Sequence, residues 1–199
     1  MYVLALSTSP RHGGNTDLLI DQAIKGVRDA WADQGKAETH TLEKVQVADL
    51  HIHPCTQCDY CLAHRACHIQ DDMQGLYPKL ARADHLILAS PIYFMAHCAQ
   101  AKLLIDRCQL FWALRRCHQH QPQRDPSQRR TLFIAAGATH GPKVFAGVQV
   151  TMKWWLDSLQ MTPWDNLLFE GLDAKAAVRQ HPHALQDAYD AGRRLVQPA

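Results

Sequence analysis

Tyr2-Val3-Leu4-Ala5-Leu6 runs without a break into Ser7-Thr8-Ser9-Pro10-Arg11-His12-Gly13-Gly14-Asn15-Thr16, and the fold turns on how this stretch is read. Five apolar residues in a row suit a strand buried on both faces of a parallel sheet, whereas the residues after Thr16 take up a helical period. The order is therefore strand, tight loop, helix. Ser7, Thr8, Ser9 and Thr16 offer hydroxyls, Asn15 an amide and Arg11 a charged fork, while Gly13 and Gly14 let backbone N–H groups close on a ligand. A helix starting near Asn15 or Thr16 adds unpaired N–H groups and a positive dipole end, so an anion, and above all a phosphate, is expected there. Neither G-x-x-x-x-G-K-[ST] nor G-x-G-x-x-G is present, and on these residues alone an ordinary Gly-Gly turn is the alternative.

Outward from this loop, Ile20, Ala23, Ile24, Val27, Ala30 and Trp31 form one helical face to lay on a sheet. Gly35 ends that pattern. Ala37 to Leu42 reads as a short, less apolar edge strand, followed by a weaker extended run from Val45 to Ile52. Asp71-Asp72 caps a helix expected over 73–83, and Asp84 to Ser90 is a second buried strand. One long helix is expected from about Cys98 to Cys117, then a polar loop over 119–130 that carries a basic stretch from Arg124. Thr131 to Ala136 is a strand, Lys143 to Gln160 a helix, Leu167 to Phe169 a last strand and Ala174 to Val196 a closing helix. Five strands alternating with about five helices predict an open α/β parallel sheet with helices on both faces. Ligands of such sheets bind at the carboxyl ends of the strands, where strand order reverses.

The loop Ser90-Pro91-Ile92-Tyr93-Phe94-Met95 should reach that same edge, and so should Gly137-Ala138-Thr139-His140-Gly141. Tyr93 and Phe94 end a buried strand where a surface loop would usually be polar, and a flat ring could rest there; packing against the core is the plainer role for such aromatics. A molecule with a phosphate at one end and a flat aromatic system at the other fits both loops. FMN is such a molecule. His140 draws attention because its loop faces the expected ring.

Seven cysteines are an odd number for a disulfide scaffold, and four of them fall between positions 55 and 67, which points to metal or redox chemistry. Cys55, Cys58, Cys61 and Cys67 read C-x2-C-x2-C-x5-C, close to the bacterial ferredoxin run but with a longer last spacer. A [4Fe–4S] cluster is one reading. Zinc, with His64 and His68 nearby, is another; disulfide-forming thiols are a third, and a relic loop of free thiols a fourth. Cys98, Cys108 and Cys117 do not share one face and are expected to pack.

Ser7-x-Ser9-Pro10-Arg11-x-Gly13-Gly14-Asn15-Thr16, Ser90-Pro91-Ile92-Tyr93-Phe94 and Ala101-Lys102-x-x-Ile105-Asp106-Arg107 together resemble the NADPH-dependent FMN reductase family. Pro54-Cys55-x-x-Cys58-x-x-Cys61, with Cys67 and Asp71-Asp72-Met73 following, is similar to its iron-sulfur flavoprotein branch. That branch commonly has Gly before the second Cys, where this chain has Gln57. The resemblance implies a flavodoxin-like three-layer sandwich, with a five-stranded parallel sheet in the order 2-1-3-4-5, bound FMN, and a homodimer or homotetramer. By matching positions, Ser7, Ser9, Arg11, Gly14, Asn15 and Thr16 would serve the FMN phosphate. Pro91, Ile92, Tyr93 and Phe94 would line the isoalloxazine, and Gly137 with His140 would form a third wall. No catalytic acid or base is assigned, because the flavin carries the chemistry.

At 199 residues the chain is expected to form a single FMN-binding domain over 1–199, with the cysteine-rich loop inserted at 53–72. A formal charge of +2 argues against nucleic acid as a partner. No stretch reads as a membrane span or a leader, so a cytoplasmic protein is expected. The expected function is FMN-dependent oxidoreductase, moving electrons between NAD(P)H or a reduced protein donor and an acceptor, with or without a cluster in the 55–67 loop. A non-enzymatic flavin and iron-sulfur electron carrier and a thiol-based redox sensor are the alternatives. Trp154, Trp155 and Trp164 are candidate interface anchors.

Overall fold

The computed structural model describes residues 1–119 and 125–197; residues 120–124, inside the polar loop expected over 119–130, and 198–199 lie outside the described residues. Six strands form the sheet: β1 (Tyr2–Ser7), β2 (Thr41–Gln46), β3 (His85–Tyr93), β4 (Ala96–His97), β5 (Arg130–Ala136) and β6 (Thr162–Phe169). The helices are α1 (Asn15–Asp33), α2 (Tyr60–His64), α3 (Met73–Arg82), α4 (Ala99–Arg107), α5 (Gln109–Arg116), α6 (Ala146–Leu159) and α7 (Ala184–Leu195). The five long strands are parallel in the order β2-β1-β3-β5-β6, which is the order the flavodoxin-like resemblance implies. The sixth strand was not expected. After Tyr93 the chain doubles back, so that Ile92 pairs with His97 and Tyr93 with Ala96, antiparallel.

Side chains alternate between the two faces of each strand, and this splits the core in two. Leu4, Leu6, Leu86, Leu88 and Phe133 pack with residues of α3, α5 and α6 on one face. Val3, Ala5, Ile87, Ala89, Leu132 and Ile134 pack with α1 and α7 on the other. The result is three layers. Among the described residues no helix is long and apolar enough to cross a membrane.

Several expected boundaries move. The edge strand lies at Thr41–Gln46, later than the 37–42 expected and running into the weaker stretch after it, because it is placed by pairing with β1 from Tyr2↔Thr41 to Ser7↔Gln46. The long helix breaks at Cys108 into α4 and α5, since the backbone there (φ −72°, ψ 5°) leaves the α-helical range. The last strand begins at Thr162, five residues earlier than expected, as β6 pairs along the whole of β5 with a bulge at Thr131/Leu132. The closing helix starts at Ala184, after a single 3-10 turn at Ala177–Gln180. Pro182 explains this, because the residue before a proline is driven out of helical backbone.

Candidate functional site

β1 lies between β2 and β3, so strand order reverses there, and the carboxyl ends of β1, β3 and β5 surround a cavity of about 190 Å³. Ser9, Arg11, Gly14, Asn15 and Thr16 make one wall, and Pro91, Ile92 and Tyr93 a second. Ala136, Gly137 and Ala138 form the third. Leu172, Asp173 and Lys175, from the segment after β6, close the fourth.

The first loop is built by its own side chains. Ser9 Oγ accepts the Arg11 N–H at 3.1 Å, and the Gly14 N–H reaches Arg11 O at 2.9 Å. Gln46 from β2 donates to Ser9 O at 2.8 Å. Gly13 sits at φ +67°, where a side chain would be strained. A Cβ on Gly14 would lie 2.8 Å from Arg11 O, so the turn closes only around a glycine. Gly14 is also the N-cap of α1 and supplies no side-chain cap, which leaves the first N–H groups of the helix directed at the cavity mouth. Donors of this kind, with a guanidinium beside them, fit a phosphate.

Three loop residues are oriented differently from the expectation, and the first is Thr8, whose buried hydroxyl donates to Ala89 O at 2.9 Å. The Ser7 hydroxyl is buried and donates to Asp17 Oδ1 at 3.0 Å, so it does not line the cavity. The Asn15 amide donates to Leu172 O and Ala174 O at 3.1 and 3.0 Å, and its Oδ1 accepts the Val178 N–H at 3.0 Å. Asn15 thus fastens the fourth wall to the first with its side chain. Asp17, absent from the expected site, organises the loop: it accepts Ser7 Oγ, the Gly13 N–H at 2.8 Å and Lys44 Nζ at 2.8 Å. Burial works to raise its pKa, but the Lys44 hydrogen bond and the others outweigh it and hold the carboxyl below its usual range. An acid in the first helical turn was the available signal.

Two further expected residues lie outside the cavity. Phe94 is fully exposed at the tip of the β3–β4 turn, where Phe94 (φ 52°) and Met95 (φ 59°) both take left-handed backbone. His140 is exposed, and its Nδ1 lies 3.4 Å from Glu170 Oε2. Leu172, Asp173 and Lys175 are cavity residues with no forewarning in the sequence, since their segment falls far from every motif.

The second site follows β2. Cys55, Cys58, Cys61 and Cys67 line one small hollow of about 30 Å³, together with Tyr60, Ile69, Arg107 and Leu110. None of the four is in a disulfide. Burial, followed by the neighbouring thiols, raises the pKa of Cys61. Among the described residues no three His, Cys, Asp or Glu side chains converge on a point suited to a single metal ion. A four-iron cluster asks for something else, one thiolate for each iron around its edges, and four cysteines around a shared hollow fit that demand. The loop is clamped at both ends. Buried Asp71 accepts the His53 N–H at 2.9 Å and the Met73 N–H at 3.0 Å, and it pairs with buried Arg107. His12 to Asp49, at 3.0 Å, ties the phosphate loop to the chain entering the cysteine loop.

A family model for NADPH-dependent FMN reductases matches residues 1–168, from β1 into β6, and so takes in three walls of the cavity and the cysteine loop. The chain belongs to this family. An iron-sulfur flavoprotein of Methanocaldococcus jannaschii is 39% identical over 107 residues, 54% of this chain and 51% of that protein. An iron-sulfur flavoprotein of Archaeoglobus fulgidus is 28% identical over 155 residues, 78% of this chain and 64% of the relative. The chain therefore spans about half to two thirds of the length of these curated relatives. Among solved structures, an NAD(P)H:quinone oxidoreductase from Methanothermobacter marburgensis superposes with a TM-score of 0.73 over 100% of this chain and 98% of that one. At 15% identity that likeness shows the family's fold and no more. The fourth wall, Leu172 to Lys175, lies beyond the family match.

Proposed function

We propose that this chain is an FMN-dependent oxidoreductase that passes electrons from NAD(P)H or a reduced protein donor to an acceptor, with a [4Fe–4S] cluster in the 55–67 loop. The observation that carries the reading is the cavity at the strand-order reversal. One end offers N–H donors, Ser9, Arg11 and Thr16; the other offers Pro91, Ile92, Tyr93 and the small surfaces of Ala136 and Gly137. That polarity matches a phosphate joined to a flat ring. Bound FMN supplies hydride and single-electron chemistry, so the protein has only to hold, orient and shield it.

Ser9 and Arg11 hold the phosphate end, aided by the N–H groups after Gly14, and Lys175 adds a second cation. Tyr93 and Ile92 set the plane of the ring, while Gly137 keeps the third wall low enough for it to enter. The cysteine loop leaves β2 on the same sheet edge and is joined to the phosphate loop through His12 and Asp49. Iron-sulfur flavoproteins among the relatives support the cluster reading over a single zinc ion. Residues 1–199 make one FMN-binding domain that carries the 53–72 insertion.

An absorbance spectrum with iron analysis on protein purified without oxygen tests this. Flavin bands over a broad iron-sulfur shoulder, with about four irons per chain, are expected. Flavin bands without iron would leave a flavin reductase with a thiol loop, and no flavin binding even in excess FMN would overturn the proposal.

A further inference from the structure

Arg107, the last residue of α4, heads the largest fully buried side chains among the described residues. Its Nη1 donates to His53 O at 2.9 Å and to the Asp71 carboxylate. Its Nη2 lies 3.4 Å from Cys67 Sγ and 3.4 Å from Ile69 O, while Nε has no partner. A buried ion pair seldom repays its desolvation in stability, so such a fork in the wall of a four-thiol hollow calls for another role. Guanidinium stays charged under all working conditions and presents its donors in a fixed plane. A fixed cation in a poorly screened site favours whichever state of its neighbour is more negative.

We propose that Arg107 is a positioning residue that raises the reduction potential of a cluster held by Cys55, Cys58, Cys61 and Cys67, acting through its N–H on the Cys67 sulfur, and that Asp71 partly offsets it. The inference rests on the cluster reading above. In the step concerned, one electron enters from the reductant, the iron–thiolate bonds persist and no proton moves. The added negative charge is stabilised by Arg107. Hydrogen bonds to cluster sulfurs and local net charge are the means by which proteins set such potentials.

Wild-type, Arg107→Lys and Asp71→Asn proteins, purified without oxygen, are compared by iron content, circular dichroism and dithionite titration at controlled potential. Lys keeps the charge and pairs with Asp71 but has no second arm for Cys67. The oxidised-to-reduced ratio at a fixed potential should rise about tenfold, which is about 59 mV for a one-electron couple. Asn at 71 removes the offset, and its midpoint should move the opposite way. Shifts of opposite sign are not produced by a clamp that only holds the loop shut. Midpoints equal to wild type, or shifted in the same direction, overturn the proposal, as does loss of iron from a correctly folded Arg107→Lys protein. If the Lys variant does not fold, Asp71→Asn decides alone: an upward shift supports the role and an unchanged midpoint removes it. A wild-type protein that holds no iron would instead overturn the cluster reading, and this inference with it.

Discussion

Lys44, on the edge strand β2, reaches over β1 to Asp17 in the first turn of α1, its Nζ 2.8 Å from Oδ1. Lys44 also contacts Asp21 Oδ1 at 2.7 Å, one turn further along. Through Asp17 this contact fixes the Ser7 hydroxyl and the Gly13 N–H, so the edge strand helps shape the loop both through Asp17 and through Gln46, which donates to Ser9 O.

Asp17→Ala should therefore damage both the fold and the cavity. Lys44 keeps Asp21, but the buried Ser7 hydroxyl and the Gly13 N–H lose their acceptor, a loss of roughly 2 kcal/mol. The pH dependence has a definite sign. The folded pKa lies below the ordinary value of 3.8, so the carboxylate's contribution is complete above pH 3.8 and is lost as pH falls through the folded value. Urea denaturation from neutral to strongly acidic pH checks this: the wild-type acid limb should be steeper than that of Asp17→Asn, and equal limbs would refute the assignment.

Lys175→Ala should weaken FMN binding by roughly tenfold, as expected for one charge-assisted contact in a partly open site. The fold should not change, because Lys175 belongs to the segment after β6 and lines the cavity without a buried partner role. The deficit should shrink as salt is added, since exposed charges are screened within about 10 Å at 0.1 M. Flavin fluorescence quenching at low and high salt measures both. A salt-independent deficit would mean that the side chain acts by shape.

What was legible in the sequence depended on whether the signal was local. β1, β3 and β5 are buried on both faces, so their apolar runs announce them. β2, Thr-Leu-Glu-Lys-Val-Gln, has half-buried and exposed residues only, and its position comes from pairing with β1; the sequence around it offered a short strand over 37–42 and a weaker extended run over 45–52. The phosphate loop was legible as residue types, but type does not say which way a hydroxyl or amide points. Ser7 turns to Asp17 and Asn15 to Leu172, Ala174 and Val178, partners that exist only after folding. The cysteines stood out by their spacing, and the structure brings all four around one hollow. Arg107 stood in a quoted motif, yet its meaning depends on Asp71 and Cys67, some forty residues earlier.

Gly26 on α1 and Gly192 on α7 let the two helices meet backbone to backbone. A Cβ on Gly26 would lie 2.0 Å from Tyr189 O, and one on Gly192 would lie 2.0 Å from Ala23 O. Neither neighbour is a flexible side chain. Gly26→Ala and Gly192→Ala should each lower stability by roughly 3 kcal/mol, at the upper end for overpacking. Gly75, in α3, is the control, because nothing lies within 4 Å of its Cβ position. Gly75→Ala should stabilise by about 1 kcal/mol. Thermal melts of the three variants with flavin held constant distinguish the cases.

His85 and His97 are both buried, and each is pushed down to about 4 from 6.5, by burial first and, for His85, then by Arg130. The unfolded chain takes up these protons near pH 6.5 while the folded chain resists until about 4. Stability should therefore be level above pH 6.5 and fall by about 3 kcal/mol for each residue as pH drops toward 4. His97 makes no well-formed hydrogen bond and packs edge-on to Phe133, 5.4 Å between centroids. His97→Leu should leave neutral-pH stability within about 1 kcal/mol and remove about half of the acid loss. Guanidinium midpoints through this range measure both, and an unchanged acid slope would exclude His97 as a source.

Gln57, immediately before the second cysteine of the loop, sits at φ 51°, and Asp59 and Arg65 on either side of α2 sit at φ 58° and 57°. Left-handed backbone costs a residue with a side chain about 1 kcal/mol or more, and Asp bears it better than Gln because its short side chain bonds locally. Gly has no such cost. Gln57→Gly should raise stability by about 1 kcal/mol, less whatever the freer unfolded chain takes back. The gain should be local: slower proteolysis within the 53–72 loop, slower loss of iron from the proposed cluster to a chelator, and an unchanged flavin affinity. Asp59→Gly should give less. A Gln57→Gly protein that loses iron faster than wild type would mean that Gln57 holds the loop by a contact of its own, and that its backbone is not the strained element.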